Sequence, residues 1–232
     1  MNIDRLTWHQ IRETLNEKGF ATIPGLLDAK TCDHAISQYP ETGPYRKTVV
    51  MAHHRFGLGE YKYFNYPLPP FIQQLRTSMY PYLVPIANQW MQVLKMDRHY
   101  PNDHEAFLST CHNQGQQKPT PLILKYEKGG YNTLHQDLYG PVYFPLQLVL
   151  FLSDCGSDYE GGEFVVTEQV PRAQSKASVI RPQKGDALLI ATSYRPVKGT
   201  RGYYRANLRH GVSEVKSGSR YTIGVIFHDA TS

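Results

Sequence analysis

From Leu122 onward the chain is a succession of short apolar segments cut apart by turn residues, and this pattern restricts the fold more than any other feature of the 232 residues. The segments are Leu122–Tyr126, Leu146–Leu152, Glu163–Val166, Ser178–Ile180, Ala187–Ala191 and Tyr221–His228. Between them lie Lys128-Gly129-Gly130, Ser153–Gly156, Glu160-Gly161-Gly162, Lys184-Gly185-Asp186 and Lys216–Ser219, residue types that supply tight turns. Helices of ordinary length do not fit between such breaks. Repeated short strands at this spacing predict a sandwich or barrel, with any helices packed on one side of it.

The helices are expected earlier in the chain. Thr7-Trp8-His9-Gln10 has the form of a capping box, Trp8, Ile11 and Leu15 recur at helical spacing, and Gly19 supplies a stop. A short strand, Phe20 to Ile23, ends at Pro24-Gly25, and Asp28 is placed to cap a second helix that finishes by Pro40. The aromatic stretch 44–66 reads as irregular or strand structure. A third helix is expected from Pro69-Pro70 towards Leu94, interrupted around Pro81 and Pro85. The class is therefore α+β with a mainly β core. The organisation expected is a single domain, 1–232, in which a mostly helical region, 1–120, supports a strand-built core, 121–232.

Composition narrows the partners and the compartment. Hydrophobic residues make up 41% and charged residues 19%, values of a globular chain that buries a core. No apolar run reaches the ~18 residues of a membrane span, and the N-terminus shows no basic stretch followed by an apolar core. Cys32, Cys111 and Cys155 form no CxxC pair, which suits a reducing compartment, so a cytoplasmic protein is expected. The formal charge of +5 is compatible with an anionic partner but is not specific.

Within the strand-rich half, Asn132-Thr133-Leu134-His135-Gln136-Asp137 brings a histidine and an aspartate two residues apart. In an extended backbone, positions i and i+2 share a face, so imidazole and carboxylate converge. A lone pair of this kind arises by chance, and a catalytic metal needs a third ligand. His210, in Arg209-His210-Gly211, is the candidate, followed ten positions later by Arg220-x-Thr222 at the head of a strand-like run. Two histidines and one carboxylate form the facial triad of non-haem Fe(II) oxygenases, with positions left open for chemistry. A guanidinium beside a hydroxyl suits the distal end of a small dicarboxylate.

The ordered set His135-x-Asp137, His210, Arg220-x-Thr222 resembles the signature of the 2-oxoglutarate- and Fe(II)-dependent oxygenases. From about Ile123 to His228 the chain is similar to their double-stranded β-helix, or jelly roll. Tyr126, Glu160-Gly161-Gly162-Glu163-Phe164 and Lys184-Gly185-Asp186-Ala187-Leu188-Leu189 are further landmarks. The phrases His135-Gln136-Asp137-Leu138-Tyr139-Gly140, Phe144-Pro145-Leu146-Gln147, Arg195-Pro196-Val197-Lys198-Gly199 and Phe227-His228-Asp229-Ala230 resemble the bacterial AlkB-like Oxygenase-NA group, whose predicted action is on nucleic acid. The resemblance implies a dioxygenase that uses Fe(II), 2-oxoglutarate and O2, with ascorbate as a candidate reductant. It implies iron ligation by His135, Asp137 and His210, and 2-oxoglutarate binding by Arg220 with Thr222 or Tyr126.

Departures from the AlkB-type demethylases leave the substrate open. Tyr126 precedes His135 by nine residues, as their cosubstrate tyrosine does. Leu124, however, takes the place of their asparagine, and Ile226 the place of their second arginine. The short His210–Arg220 interval is closer to the prolyl-hydroxylase branch. Between Arg195 and Arg209, the residues Lys198, Arg201 and Arg205 interleave with Tyr203 and Tyr204, a mixture that can neutralise phosphates and stack bases. The same stretch also fits a solvated loop whose tyrosines pack on the barrel rim. Oxidation of damaged or single-stranded nucleic acid is thus one expectation. Hydroxylation of a protein side chain, amino acid or small metabolite is the second, and a non-catalytic ligand-binding β-helix the third. Gln147, Tyr139 and His228 are placed to line or support the pocket. His53, His54, His104 and His112 have no partner at metal-ligand spacing.

Overall fold

A computed structural model describes residues 3–232. Its helices are α1 (Trp8–Lys18), α2 (Ala29–Ser37), α3 (Pro70–Val93) and α4 (His104–Asn113). The strands of the first half are β1 (Phe20–Ile23), β2 (Tyr45–Val50), β3 (Gly57–Leu58) and β4 (Glu60–Phe64). Those of the second half are β5 (Leu122–Tyr126), β6 (Tyr131–His135), β7 (Leu146–Phe151), β8 (Tyr159–Gly161), β9 (Phe164–Gln169) and β10 (Lys176–Ile180). β11 (Ala187–Ala191), β12 (Tyr194–Gly199), β13 (Gly202–Val212), β14 (Val215–Gly218) and β15 (Arg220–Val225) complete the chain.

Two antiparallel sheets face each other, as a jelly roll requires. The larger has the order β1-β11-β7-β15-β5-β4-β2; the smaller runs β10-β9-β13-β6-β3, with β12 paired to β13. β7 and β11, every residue of which is buried, lie side by side within the larger sheet, with β15 at its middle. The helices cover that sheet's outer side through an aromatic cluster in which Tyr80, Phe107, Phe144 and Phe227 meet at centroid distances of 4.9–6.3 Å.

The stretch before residue 120 is less helical than its sequence implies. Besides the helices it contributes four strands, and β2, β4 and β1 extend the larger sheet at both edges. Tyr61 and Tyr63 are held there by pairing of β4 with β5, a partner about sixty residues away, and β2 pairs in turn with β4. α3 continues unbroken through Pro81 and Pro85. Both prolines lie on the exposed face, so the carbonyls they leave without a donor face water. Asp28 caps α2 as expected, accepting from the Thr31 N–H at 2.7 Å. Thr7 precedes α1 without a side-chain cap bond, so the capping-box reading fails there. α4, missed in the sequence, has its own cap: Asp103 accepts from the Ala106 N–H at 2.9 Å.

One buried ion pair ties the helices to the end of the sheet. Arg76 of α3 donates to Asp229 at 2.9 Å and to the Phe227 carbonyl at 3.1 Å, and both charged side chains are fully buried. Tyr66 and His112 also bond Asp229. Asp229→Ala leaves Arg76 charged without a carboxylate in a closed interior. The expected cost is about 3–5 kcal/mol, as loss of one partner of such a pair generally costs. Chemical denaturation checks it; a midpoint unchanged from wild type contradicts the buried network.

Candidate functional site

β6 and β13 run side by side, and their register sets His135 directly opposite His210. The rings lie 4.3 Å apart. Asp137 falls in the irregular turn after β6, not in the extended strand its spacing implied. The turn nevertheless carries the carboxylate between the rings: Oδ1 is 3.6 Å from His135 Nε2 and Oδ2 is 3.2 Å from His210 Nε2. Among the described residues this is the one group of His, Cys, Asp and Glu arranged to hold an ion, its ligand atoms all within 4.8 Å of one another.

Neighbouring groups hold each member in place. His135 Nδ1 donates to the Thr133 carbonyl at 2.8 Å, which leaves the Nε2 lone pair directed at the triad. The His210 ring stacks on Phe164 with centroids 5.5 Å apart. Gln136, between the two ligands, donates to the carbonyls of Ser193 and Leu208, both at 2.8 Å, and pins the turn to β13. After His210 the register shifts, and a Cβ on Gly211 would come within 2.7 Å of the Asn132 carbonyl oxygen. Glycine is required at that position for β6 to approach.

The charge on Asp137 suits a divalent cation. Burial pushes the Asp137 carboxyl up, but the His135 and His210 imidazoles and Gln147 outweigh it and hold the group well below the usual carboxylate range. Burial, and then His210, lowers His135. Two imidazoles and one carboxylate are the donor set that Fe(II) takes in facial-triad sites.

A cavity of about 210 Å³ extends from the triad between the sheets, walled by Leu124, Tyr126, Val149 and Thr222. Arg220 pairs across the ladder with Tyr126, and Thr222 with Leu124. Arg220 is 1% exposed, enclosed by the rings of Tyr126, Phe151 and Tyr159 at 5.6–5.8 Å, and its Nε and one terminal nitrogen have no partner among the described residues. Gly162 makes room for it, since a Cβ there would lie 2.9 Å from Arg220 Cδ. A buried guanidinium without a carboxylate partner among the described residues fits the distal carboxylate of 2-oxoglutarate. The Tyr126 phenol, raised by burial, stays protonated and can also donate to that group.

The remaining polar candidates divide clearly. Gln147 and Tyr139 touch the triad: Gln147 Nε2 donates to Asp137 Oδ2 at 2.8 Å, and the Tyr139 hydroxyl to Oδ1 at 3.1 Å. His228 lies behind Tyr139, accepts the Phe144 N–H at Nδ1, and is lowered to about 3 by burial. His104 and His112 belong to the helix-to-sheet network, bonded to Phe227 and Asp229, while His54 stacks on Phe56. Tyr61, Tyr63, Asn132 and Phe56 line the cavity and were not singled out in the sequence. Alternating aromatics on β4 were the available signal, but only pairing with β5 turns them inward.

The residues between Arg195 and Arg209 form a hairpin, not a loop. β12 and β13 pair from Tyr194↔Asn207 to Gly199↔Gly202, whereas β9 pairs β13 only from Asn207 onward, so the hairpin projects beyond the sheet. Arg195 turns inward onto Glu168. Lys198, Arg201, Arg205 and Arg209 are exposed and, among the described residues, make no salt bridge. No described helix is long and apolar enough to cross a membrane.

Comparison with known proteins agrees with this geometry. The chain is similar to a Pseudomonas putida prolyl-4-hydroxylase, at 12% identity over 94% of this chain and 96% of that one, with a TM-score of 0.55. It is also similar to an oxidoreductase of the 2-oxoglutarate–Fe(II) oxygenase family from Burkholderia pseudomallei, at 16% identity over 98% and 95% of the chains, with a TM-score of 0.55. At these identities the likeness is one of fold. An uncharacterised protein of Mycobacterium tuberculosis is 44% identical over 167 residues, 72% of each chain. The profile of the Oxygenase-NA family, described as oxygenases catalysing oxidative methylation of damaged DNA, matches residues 59–230. That match takes in the whole triad and every strand from β4 onward, and the chain belongs to the Oxygenase-NA family.

Proposed function

We propose that this dioxygenase oxidises a modified base in single-stranded or locally opened nucleic acid, using His135, Asp137 and His210 as iron ligands. Arg220, with Tyr126 and Thr222, takes the distal carboxylate of 2-oxoglutarate. When bound, iron and 2-oxoglutarate supply an oxidant from O2 that hydroxylates a substrate carbon as 2-oxoglutarate becomes succinate and CO2. The protein's part is to fix the ligands, anchor the cosubstrate through Arg220, which is buried behind the cavity-lining Tyr126 and Thr222, and exclude water with Leu124, Val149 and Phe164.

The observation that carries the substrate class is the β12–β13 hairpin. Residues 187–213 contain five arginines and lysines and no acidic residue. The exposed cations share the hairpin with two exposed rings, Tyr203 and Tyr204. β13 runs unbroken from this surface to His210. Arg205 stands five residues from the ligand, roughly 17 Å along an extended strand. Arg205 and Arg209 leave the face of β13 opposite His210, so the hairpin serves as an outer grip on the phosphate backbone, and a base must leave its stack to enter the cavity. Phe56, half-exposed at that mouth and stacked on His54, offers a flat apolar surface there.

The test is succinate release in the presence of Fe(II) and O2. Stimulation by an alkylated single-stranded oligonucleotide over its unmodified form is expected. Stimulation by peptides or small metabolites in its place overturns the substrate assignment. Binding gives a second check. Arg201→Ala with Arg205→Ala is expected to lower the slope of log K against log salt for single-stranded DNA by about 1.4, or about 0.7 per lost phosphate contact. Salt-independent binding, or an unchanged slope, rules out the hairpin as the phosphate-binding surface.

A further inference from the structure

We propose that Gln147 and Tyr139 are positioning residues that clamp the Asp137 carboxylate, one on each oxygen, and thereby set the affinity and geometry of the metal centre. The inference rests on the reading of Asp137 as an iron ligand. Asp137 lies outside regular structure, so backbone pairing does not hold its carboxyl plane. Its two oxygens receive different donors: Gln147 Nε2 at Oδ2 and the Tyr139 hydroxyl at Oδ1. With both oxygens engaged, rotation of the carboxylate breaks at least one bond, and its remaining lone pairs stay directed towards His135 and His210.

Gln147 is out of place for packing alone. β7 otherwise consists of Leu146, Leu148, Val149, Leu150 and Phe151, and the Gln147 side chain is buried to 2% exposure among them. An amide in such a strand is costly unless bonded. Its nitrogen is bonded to Asp137, whereas its Oε1 is buried and has no partner among the described residues. The bonding energy of the residue is therefore concentrated on the carboxylate. The orientation is also forced, because turning the amide over would set oxygen lone pairs against Asp137. Tyr139 gains its own support from the Tyr63 ring at 6.0 Å and the His228 ring at 5.9 Å, so the second donor is held as firmly as the first.

The experiment uses the full chain, titrated with Mn(II) and followed by the resonance of the free ion, with the visible spectrum of the Co(II) form as a geometric readout. Gln147→Met keeps the volume and removes the donor; Tyr139→Phe removes one hydroxyl and leaves packing intact. Each folded variant is expected to bind Mn(II) about 10–100-fold more weakly than wild type, the usual range for groups that orient a metal ligand. Each is also expected to shift the Co(II) bands. A residue that serves packing alone would alter melting temperature and leave both readouts unmoved. Wild-type Mn(II) affinity and Co(II) spectrum in Tyr139→Phe, or in folded Gln147→Met, overturn the proposal. Failure of the wild-type chain itself to take up Mn(II) overturns the iron-site reading and the clamp together. Neither readout involves nucleic acid, so failure of the substrate assignment is separately visible.

Discussion

Asp137→Ala is expected to abolish both Fe(II) uptake and succinate formation, a loss on the order of 100-fold or more, because even the partners of a metal ligand contribute 10–100-fold. Asp137 supplies the one carboxylate of the proposed ligand set, and it is the group that both histidines face, at 3.6 and 3.2 Å. Without it, two imidazoles remain, a weak donor pair for a hard divalent cation. The same variant also releases Gln147 and Tyr139 from their bonds. Metal titration and succinate release check the expectation on the same sample. Retention of iron-dependent turnover in Asp137→Ala contradicts the assignment of the triad.

Arg220→Leu is expected to move stability and function in opposite directions. The guanidinium is buried among three aromatic rings with two nitrogens unpartnered, so without cosubstrate it is an uncompensated charge in an apolar shell. Replacing it with an apolar side chain is expected to leave the melting temperature equal or higher when 2-oxoglutarate is absent. Binding of 2-oxoglutarate is expected to weaken by about 2–5 kcal/mol, roughly 30- to 5,000-fold, as when one partner of a buried charge pair is truncated. Arg220→Lys keeps the charge and loses the two-pronged geometry, and it is expected to fall between the two. A Leu variant that melts far below wild type yet binds 2-oxoglutarate normally would show that Arg220 is structural.

Some features could be read locally because their physical cause is local. The Asp28 cap, the Gly19 stop with its αL backbone, and the apolar strands β5, β7 and β11 follow from one or a few neighbouring residues. α4 was equally legible, since His104, Phe107 and Cys111 lie on one buried face behind the Asp103 cap. β12 and the outer part of β13 were not, because a projecting two-stranded ribbon has polar residues on both faces and shows no alternation. The uninterrupted course of α3 depends on where its prolines face, which is a property of the packed molecule.

The order His135-x-Asp137, His210, Arg220-x-Thr222, together with its resemblance to the 2-oxoglutarate oxygenases, named a candidate donor set and a cation for an anionic cosubstrate, while the pairing of β6 with β13 is what brings the two histidines together. What surrounds those groups is decided by the tertiary fold alone. Gln147 and Tyr139 on the two oxygens of Asp137, the tyrosine wall brought in by β4, and a basic hairpin continuous with the strand of His210 all depend on pairings between distant segments. Local periodicity carries no information about such pairings, because they form when two sheets close around a shared cavity.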